Sequence, residues 1–178
     1  MSGLLRPEIR VWHRRWSYFQ VCGVSGLLAG SWLAFYLVRH AGLSPGVMAG
    51  IGIAACATFL VLAMVTKILT GEERLVYYHQ ELAVMASAAL LLTTVHQPLL
   101  PYLDITILGV GVFLACGRIG CLLVGCCYGR PCKCGVRYGR EHADLGFARY
   151  LVGVRLFPVQ AVESAIVFGL YPRTLVSC

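Results

Sequence analysis

The sequence predicts an all-α, polytopic helical membrane protein with a broken fourth span. Of its 178 residues, 58% are hydrophobic and only 13% are charged, whereas soluble domains carry about a quarter charged residues. The chain also contains four long apolar runs, and the only charged residue in them is one arginine in the fourth run. Each run is close to or above the roughly 20 helical residues that cross a hydrocarbon core. The runs are residues 21–38, 46–66, 82–103 and 105–129.

The chain before the first span is predicted to be a basic interfacial segment, residues 1–20. Trp12 and Trp16 stand there among arginines, a composition typical of a helix lying in the membrane interface. An ordinary basic flank with aromatic-belt residues is the alternative. The run at 21–38 is not expected to be a cleaved signal peptide, because its apolar core is too long and more spans follow it.

The third and fourth runs are the irregular ones. Pro98 and Pro101 weaken the third as a helix. The fourth contains Arg118 and six glycines. An arginine at bilayer depth costs roughly 3 kcal/mol and cannot deprotonate. We therefore expect this run to unwind or dip into the membrane near Arg118, where exposed backbone N–H groups beside a fixed cation would suit a phosphate.

The remaining sequence completes a four-part division of the chain. We expect residues 21–129 to form the membrane domain with four spans, residues 130–155 to form a basic, cysteine-containing loop, and residues 156–178 to be the start of a fifth span that is cut short. Arginines ahead of the first span predict a cytoplasmic N-terminus. The net charge of +7 comes from residues flanking the spans, so no nucleic-acid partner is predicted.

The chain is rich in cysteine, with nine residues, and five of them lie close together in sequence: Cys121, Cys126, Cys127, Cys132 and Cys134. Their spacing lacks the paired C-x2-C elements of structural zinc sites, so no metal site is predicted. An extracytoplasmic loop would favour disulfides between the 126–127 pair and Cys132 or Cys134. A cytoplasmic loop would keep thiols, one of them reactive beside the arginines. Plain packing is a further interpretation for Cys121.

Two stretches resemble a known family. Residues 117–130 read Gly-Arg-Ile-Gly-Cys-Leu-Leu-Val-Gly-Cys-Cys-Tyr-Gly-Arg, similar to the prolipoprotein diacylglyceryl transferase signature Gly-Arg-Ile-Gly-Asn-Phe-x-Asn-x-Glu-x-x-Gly-Arg. Residues 157–163, Phe-Pro-Val-Gln-Ala-Val-Glu, resemble the family's His-Pro-x-Gln-Leu-Tyr-Glu. The order and separation of both elements fit. Cys121, Val124 and Cys126 depart from the Asn, Asn and Glu of the signature, which makes the chain a divergent member.

The resemblance implies a multi-pass protein of the bacterial inner (plasma) membrane that acts in lipoprotein biosynthesis. Such an enzyme moves diacylglyceryl from phosphatidylglycerol to the lipobox cysteine thiol of a prolipoprotein, and no cofactor is expected. The family has seven spans and an extracytoplasmic N-terminus, opposite to the orientation that the arginines predict. Arg118 would face the lipid phosphate, which a guanidinium binds through two parallel hydrogen bonds.

The other site residues follow from the same resemblance. Glu163 and His79 join Arg118 as catalytic candidates, and the substrate-binding candidates are Arg118, Gly117, Gly120, Arg130 and Gln160. Glu163 has a structural alternative, an ion pair with Arg118 or Arg155. For His79 the alternative is a loop or helix-cap role. Two other functions stay open: a membrane thiol-redox protein using the clustered cysteines, and a catalytically inactive relative of the family.

Overall fold

The computed structural model describes residues 8–11, 14–70 and 77–176, and within them it is mostly helical, which confirms the predicted all-α class. The helices are α1 (Tyr18–His40), α2 (Pro45–Thr70), α3 (Tyr77–Thr94), α4 (Leu99–Val124), α5 (Arg140–Ala143) and α6 (Val159–Val176). Four short strands form two antiparallel pairs, β1 (Glu8–Val11) with β2 (Arg14–Ser17) and β3 (Pro131–Arg137) with β4 (Arg155–Leu156).

The chain divides into two compact units. Ser31–Gly109 forms what we call the middle unit, and Met1–Gly30 with Val110–Cys178 forms the terminal unit. The core of the middle unit consists of side chains that are almost fully buried, including Val38, Ile51, Leu92 and Tyr102. The Tyr102 hydroxyl accepts a hydrogen bond of 2.9 Å from the backbone N–H of Ser44. It thereby satisfies a donor at the start of α2, where helical N–H groups lack partners.

Three helices within the described residues are long and apolar enough to cross a membrane: Tyr18–His40, Pro45–Ile68 and Leu99–Val124. A span over residues 82–103 was also expected, but the structure divides that run: α3 ends at Thr94 and α4 begins at Leu99. The turn residues 95–98 carry no formal charge, so the sequence shows one continuous uncharged run where the structure has two helices. Pro101 lies in the first turn of α4, where its missing N–H removes no helical hydrogen bond.

Helix α4 runs without interruption from Leu99 to Val124, so the predicted break in the fourth span is wrong. In an apolar environment an unwound turn would leave backbone N–H and C=O groups unpaired. The glycines permit close helix packing instead. A Cβ atom on Gly120 would lie 3.0 Å from the Cα of Phe19, and one on Gly26 would lie 2.7 Å from the Cβ of Cys116.

Residues 131–156 form a small folded module between α4 and α6. Antiparallel β3 and β4 pack with α5 around a core of Tyr138, Phe147 and Leu156. The Tyr138 hydroxyl donates to the Leu122 carbonyl at 3.0 Å, and Nε2 of His142 lies 3.1 Å from the Leu123 carbonyl. Carbonyls in the last turn of a helix have no helical partner. The module therefore caps the end of α4.

Candidate functional site

The two sequence motifs meet in the terminal unit. The backbone N–H of Gly129 donates to the Phe157 carbonyl at 3.2 Å, and the N–H of Phe157 donates to the Arg130 carbonyl at 3.0 Å. A Cβ atom on Gly129 would lie only 2.7 Å from that Phe157 oxygen, so the close approach requires glycine. These two backbone hydrogen bonds join the end of the first motif to the start of the second.

Side chains of α6 extend the contact to α4. The buried Gln160 donates from Nε2 to the Cys126 carbonyl at 2.5 Å, and the Ser164 hydroxyl donates to the Ala115 carbonyl at 2.9 Å. These bonds lie on either side of Glu163 in the sequence. These two hydrogen bonds fix the rotation of α6 about its own axis and its position along α4.

This anchoring brings the two charged candidates together. Nε of Arg118 lies 2.7 Å from Oε2 of Glu163, with 24% of the arginine side chain and 41% of the glutamate side chain exposed. Arg118 thus has the anionic partner that its apolar surroundings require. Arg155, the other partner considered for Glu163, instead donates from Nη1 to the Lys133 carbonyl at 2.8 Å. Both side chains are partly exposed, so a substrate group can reach the pair.

The other predicted site residues have different surroundings. A Cβ atom on Gly117 would meet no atom within 4 Å, and the Arg130 side chain is exposed. Gly120 faces α1 closely, and Gln160 is buried. His79 is an exposed residue in the first turn of α3, within the middle unit. The structure pairs Arg118 with Glu163, and Gln160 precedes Glu163 by three residues on α6; the roles of all seven residues stay predictions.

The turn after α4 brings together the thiols of three of the five cysteines that lie close together in the sequence. Gly125 follows the helix with φ of +86°, and the N–H groups of Gly125 and Cys126 both donate to the Cys121 carbonyl, at 2.9 and 3.1 Å. This left-handed glycine cap is a common helix ending. It folds the chain back, so the Sγ atoms of Cys121, Cys126 and Cys127 lie within 4.8 Å of one another. Gly125 was the sequence signal for this reversal.

The environment of the turn favours a thiolate at Cys126. A hydrogen bond with the Cys121 thiol lowers the pKa of Cys126 below that of an ordinary thiol, and the positive charge of Arg118 acts in the same direction. Burial raises the pKa of the neighbouring Tyr138 to about 12, so that residue remains a hydrogen-bond donor. The eight cysteines within the described residues are free thiols. The disulfides expected for an extracytoplasmic loop are not formed.

Comparison with known proteins identifies the family. Residues 13–171 match the family model described as prolipoprotein diacylglyceryl transferase. No curated protein and no solved structure matches the chain. The family match includes both motifs that meet at Arg118 and Glu163, and it agrees with three apolar helices of membrane-spanning length. This membrane protein therefore belongs to the prolipoprotein diacylglyceryl transferase family, a family of transferases.

Proposed function

We propose that this protein transfers the diacylglyceryl group of phosphatidylglycerol to the thiol of a prolipoprotein lipobox cysteine. The observation that carries the proposal is the partly exposed Arg118–Glu163 pair at the junction of the two motifs. A permanent cation in an apolar helix, held by a carboxylate yet accessible, suits a membrane lipid with an anionic headgroup. Both substrates reside at a membrane, and the bacterial inner membrane is the proposed location.

In the proposed reaction the lipobox sulfur attacks the glycerol carbon that carries the phosphate ester. A C–S bond forms, the C–O bond breaks, and glycerol phosphate leaves with the bonding electrons. Arg118 contacts Glu163 through Nε, so its two Nη atoms are positioned to bind phosphate oxygens and stabilise the departing charge. Glu163 orients the guanidinium and accepts the proton of the attacking thiol, because only the thiolate is a strong nucleophile.

The test is a transfer assay with purified full-length protein in vesicles that contain phosphatidylglycerol and a lipobox peptide. The expected product is a thioether-linked diacylglyceryl peptide, identified by mass spectrometry. Arg118→Gln should lower the rate by roughly 10²-fold or more, in the range that loss of one charge-stabilising group causes. Arg118→Lys should retain only part of the activity, since lysine lacks the bidentate fork. The same assay tests His79→Gln.

Arg149→Gln is the matched control, because Arg149 is an exposed arginine in the short 3-10 turn Arg149–Leu151. It should retain the wild-type rate. A wild-type protein that yields no thioether product would overturn the proposal and identify an inactive member of the family. Equal loss in the Arg149 and Arg118 variants would show that total positive charge matters and that the position of Arg118 does not.

Thiol-redox function is a second candidate, favoured by the mutual proximity of the Cys121, Cys126 and Cys127 sulfur atoms. Its test is thiol trapping in intact cells followed by mass spectrometry. Cycling of these cysteines between thiol and disulfide forms would support a redox role. Thiols that stay reduced when oxidant and reductant are varied would exclude it.

A further inference from the structure

The proposed lipid transfer assigns no role to the cysteine thiols near Arg118. We propose that Cys121, Cys126 and Cys127 form a binding site for a soft, thiophilic metal ion, and that this ion is Cu(I). The three residues lie in the last turn of α4 and in the reversal that follows it. The sequence alone predicted no metal site here, because the spacing of these cysteines does not follow the zinc-knuckle pattern.

The geometry matches a three-coordinate ion. The three Sγ atoms lie within 4.8 Å of one another. An ion about 2.3 Å from each sulfur in a trigonal plane would require sulfur–sulfur separations of about 4 Å, so small side-chain rotations suffice. The backbone is already fixed for this arrangement, since two N–H groups donate to the Cys121 carbonyl and Gln160 donates to the Cys126 carbonyl.

The donor set favours Cu(I) over harder or four-coordinate ions. Thiolate sulfur selects soft ions such as Cu(I), whereas structural zinc is held by four protein ligands in a tetrahedron. Within the described part of the chain, no His, Asp or Glu and no fourth Cys joins these three in one cluster. A site with three sulfur ligands therefore satisfies Cu(I) and leaves a structural zinc ion one protein ligand short.

Charge and exposure complete the site. Three thiolates and one Cu(I) ion carry a net charge of −2, which a nearby cation stabilises. Arg118 supplies that cation, because it lies one helical turn before Cys121 on the same helix, α4. Cys121 is buried, Cys126 is half-buried and Cys127 is exposed. An ion can enter at Cys127 and be shielded by the other two sulfurs.

The experiment is an anaerobic titration of the reduced, full-length protein with Cu(I), in competition with a chromogenic Cu(I) chelator. We expect one tightly held Cu(I) per chain and three sulfur ligands in the X-ray absorption spectrum. Cys127→Ser should weaken binding at least tenfold. Cys134→Ser and Cys56→Ser, which change exposed thiols outside the cluster, should bind as wild type does. Zinc should compete poorly.

The side chain of Cys127 is exposed, so its serine variant should fold; circular dichroism and gel filtration verify that, and Cys126→Ser provides a second variant. Unchanged Cu(I) affinity in both variants would refute the site. Loss of binding in Cys134→Ser alone would also refute it, since a different set of cysteines would then hold the metal. The titration contains neither lipid nor peptide, so its result is independent of whether the protein transfers diacylglyceryl groups.

Discussion

Arg118 and Glu163 form an ion pair that joins the two motifs, with Nε and Oε2 2.7 Å apart. The residues are 45 positions apart in the sequence, on α4 and α6. Their meeting depends on the backbone hydrogen bonds that Phe157 makes with Gly129 and Arg130, and on the hydrogen bond from Gln160 to the Cys126 carbonyl. A structural pair and a catalytic pair would both show this contact, because an arginine in an apolar helix needs a carboxylate in either case.

A charge exchange separates the two roles. Arg118→Glu combined with Glu163→Arg should restore the stability that each single reversal loses, because the exchanged pair keeps one charge of each sign. Each single reversal should cost about 1–3 kcal/mol, since both side chains are partly exposed. The exchanged protein should nevertheless fail to transfer diacylglyceryl, because its cation lies on α6.

Thermal unfolding in detergent measures the first effect and the transfer assay measures the second. A double mutant with wild-type transfer would mean that the position of the cation does not matter, and Arg118 would lose its proposed role toward the phosphate. The neutral pair Arg118→Gln with Glu163→Gln is the control. It removes both charges and should fold without transferring the group.

Gly125 controls the reversal that places the cysteines. Gly125→Ala should destabilise the protein by about 1–2 kcal/mol from the left-handed backbone alone, because φ is +86°. The effect should be larger in practice, since the new Cβ atom would lie 3.1 Å from the Tyr138 ring and 3.3 Å from the Phe147 ring. The measurement is the midpoint of thermal unfolding in detergent.

Gly139→Ala is the matched control for this substitution. Gly139 has φ of −94°, and a Cβ atom there would meet no atom within 4 Å. Its unfolding midpoint should equal that of the wild type or exceed it slightly, since alanine restricts the unfolded chain. Equal midpoints for both alanine variants would mean that the glycine cap does not hold the turn.

The sequence predicts a span correctly where the length of an uncharged run is enough to identify the helix. Residues 21–38 and 46–66 lie inside α1 and α2, because an uncharged run of that length has no stable conformation in lipid other than a helix. The same reasoning is wrong for residues 82–103. The turn residues 95–98 carry no formal charge, so a count of charged residues does not reveal the turn, and His96 with φ of 52° reverses the chain in the middle of the run.

The site shows where prediction from one sequence ends. Arg118 stands out by its cost in lipid, and the pairing with Glu163 was one of two alternatives for that carboxylate. Whether a glycine breaks a helix or lets a neighbour approach depends on that neighbour, and the sequence does not reveal that Phe19 lies against Gly120. The module at residues 131–156 was expected to be a loop, because its strands are short and their register depends on contacts distant in sequence.

His142 should make stability depend on pH. Burial lowers the pKa of His142 below the ordinary 6.5, although the hydrogen bond with the Leu123 carbonyl and the charge of Glu141 favour the proton. The unfolded chain therefore takes up a proton near pH 6.5, whereas the folded protein takes it up only at lower pH. Where the unfolded state binds more protons, the free energy of unfolding falls as the pH falls.

Lowering the pH from about 7.5 to about 5.5 should thus lower the thermal unfolding midpoint of the wild type. His142→Gln should show a smaller decrease, because the glutamine amide does not titrate. The amide can still donate to the Leu123 carbonyl, which Nε2 of His142 contacts at 3.1 Å. His96→Asn, at an exposed turn position with φ of 52° that asparagine tolerates, should retain the wild-type dependence. Only the wild type has a titrating imidazole ring against the end of α4. A decrease of the same size in the wild type and in His142→Gln would therefore assign the pH effect to other groups.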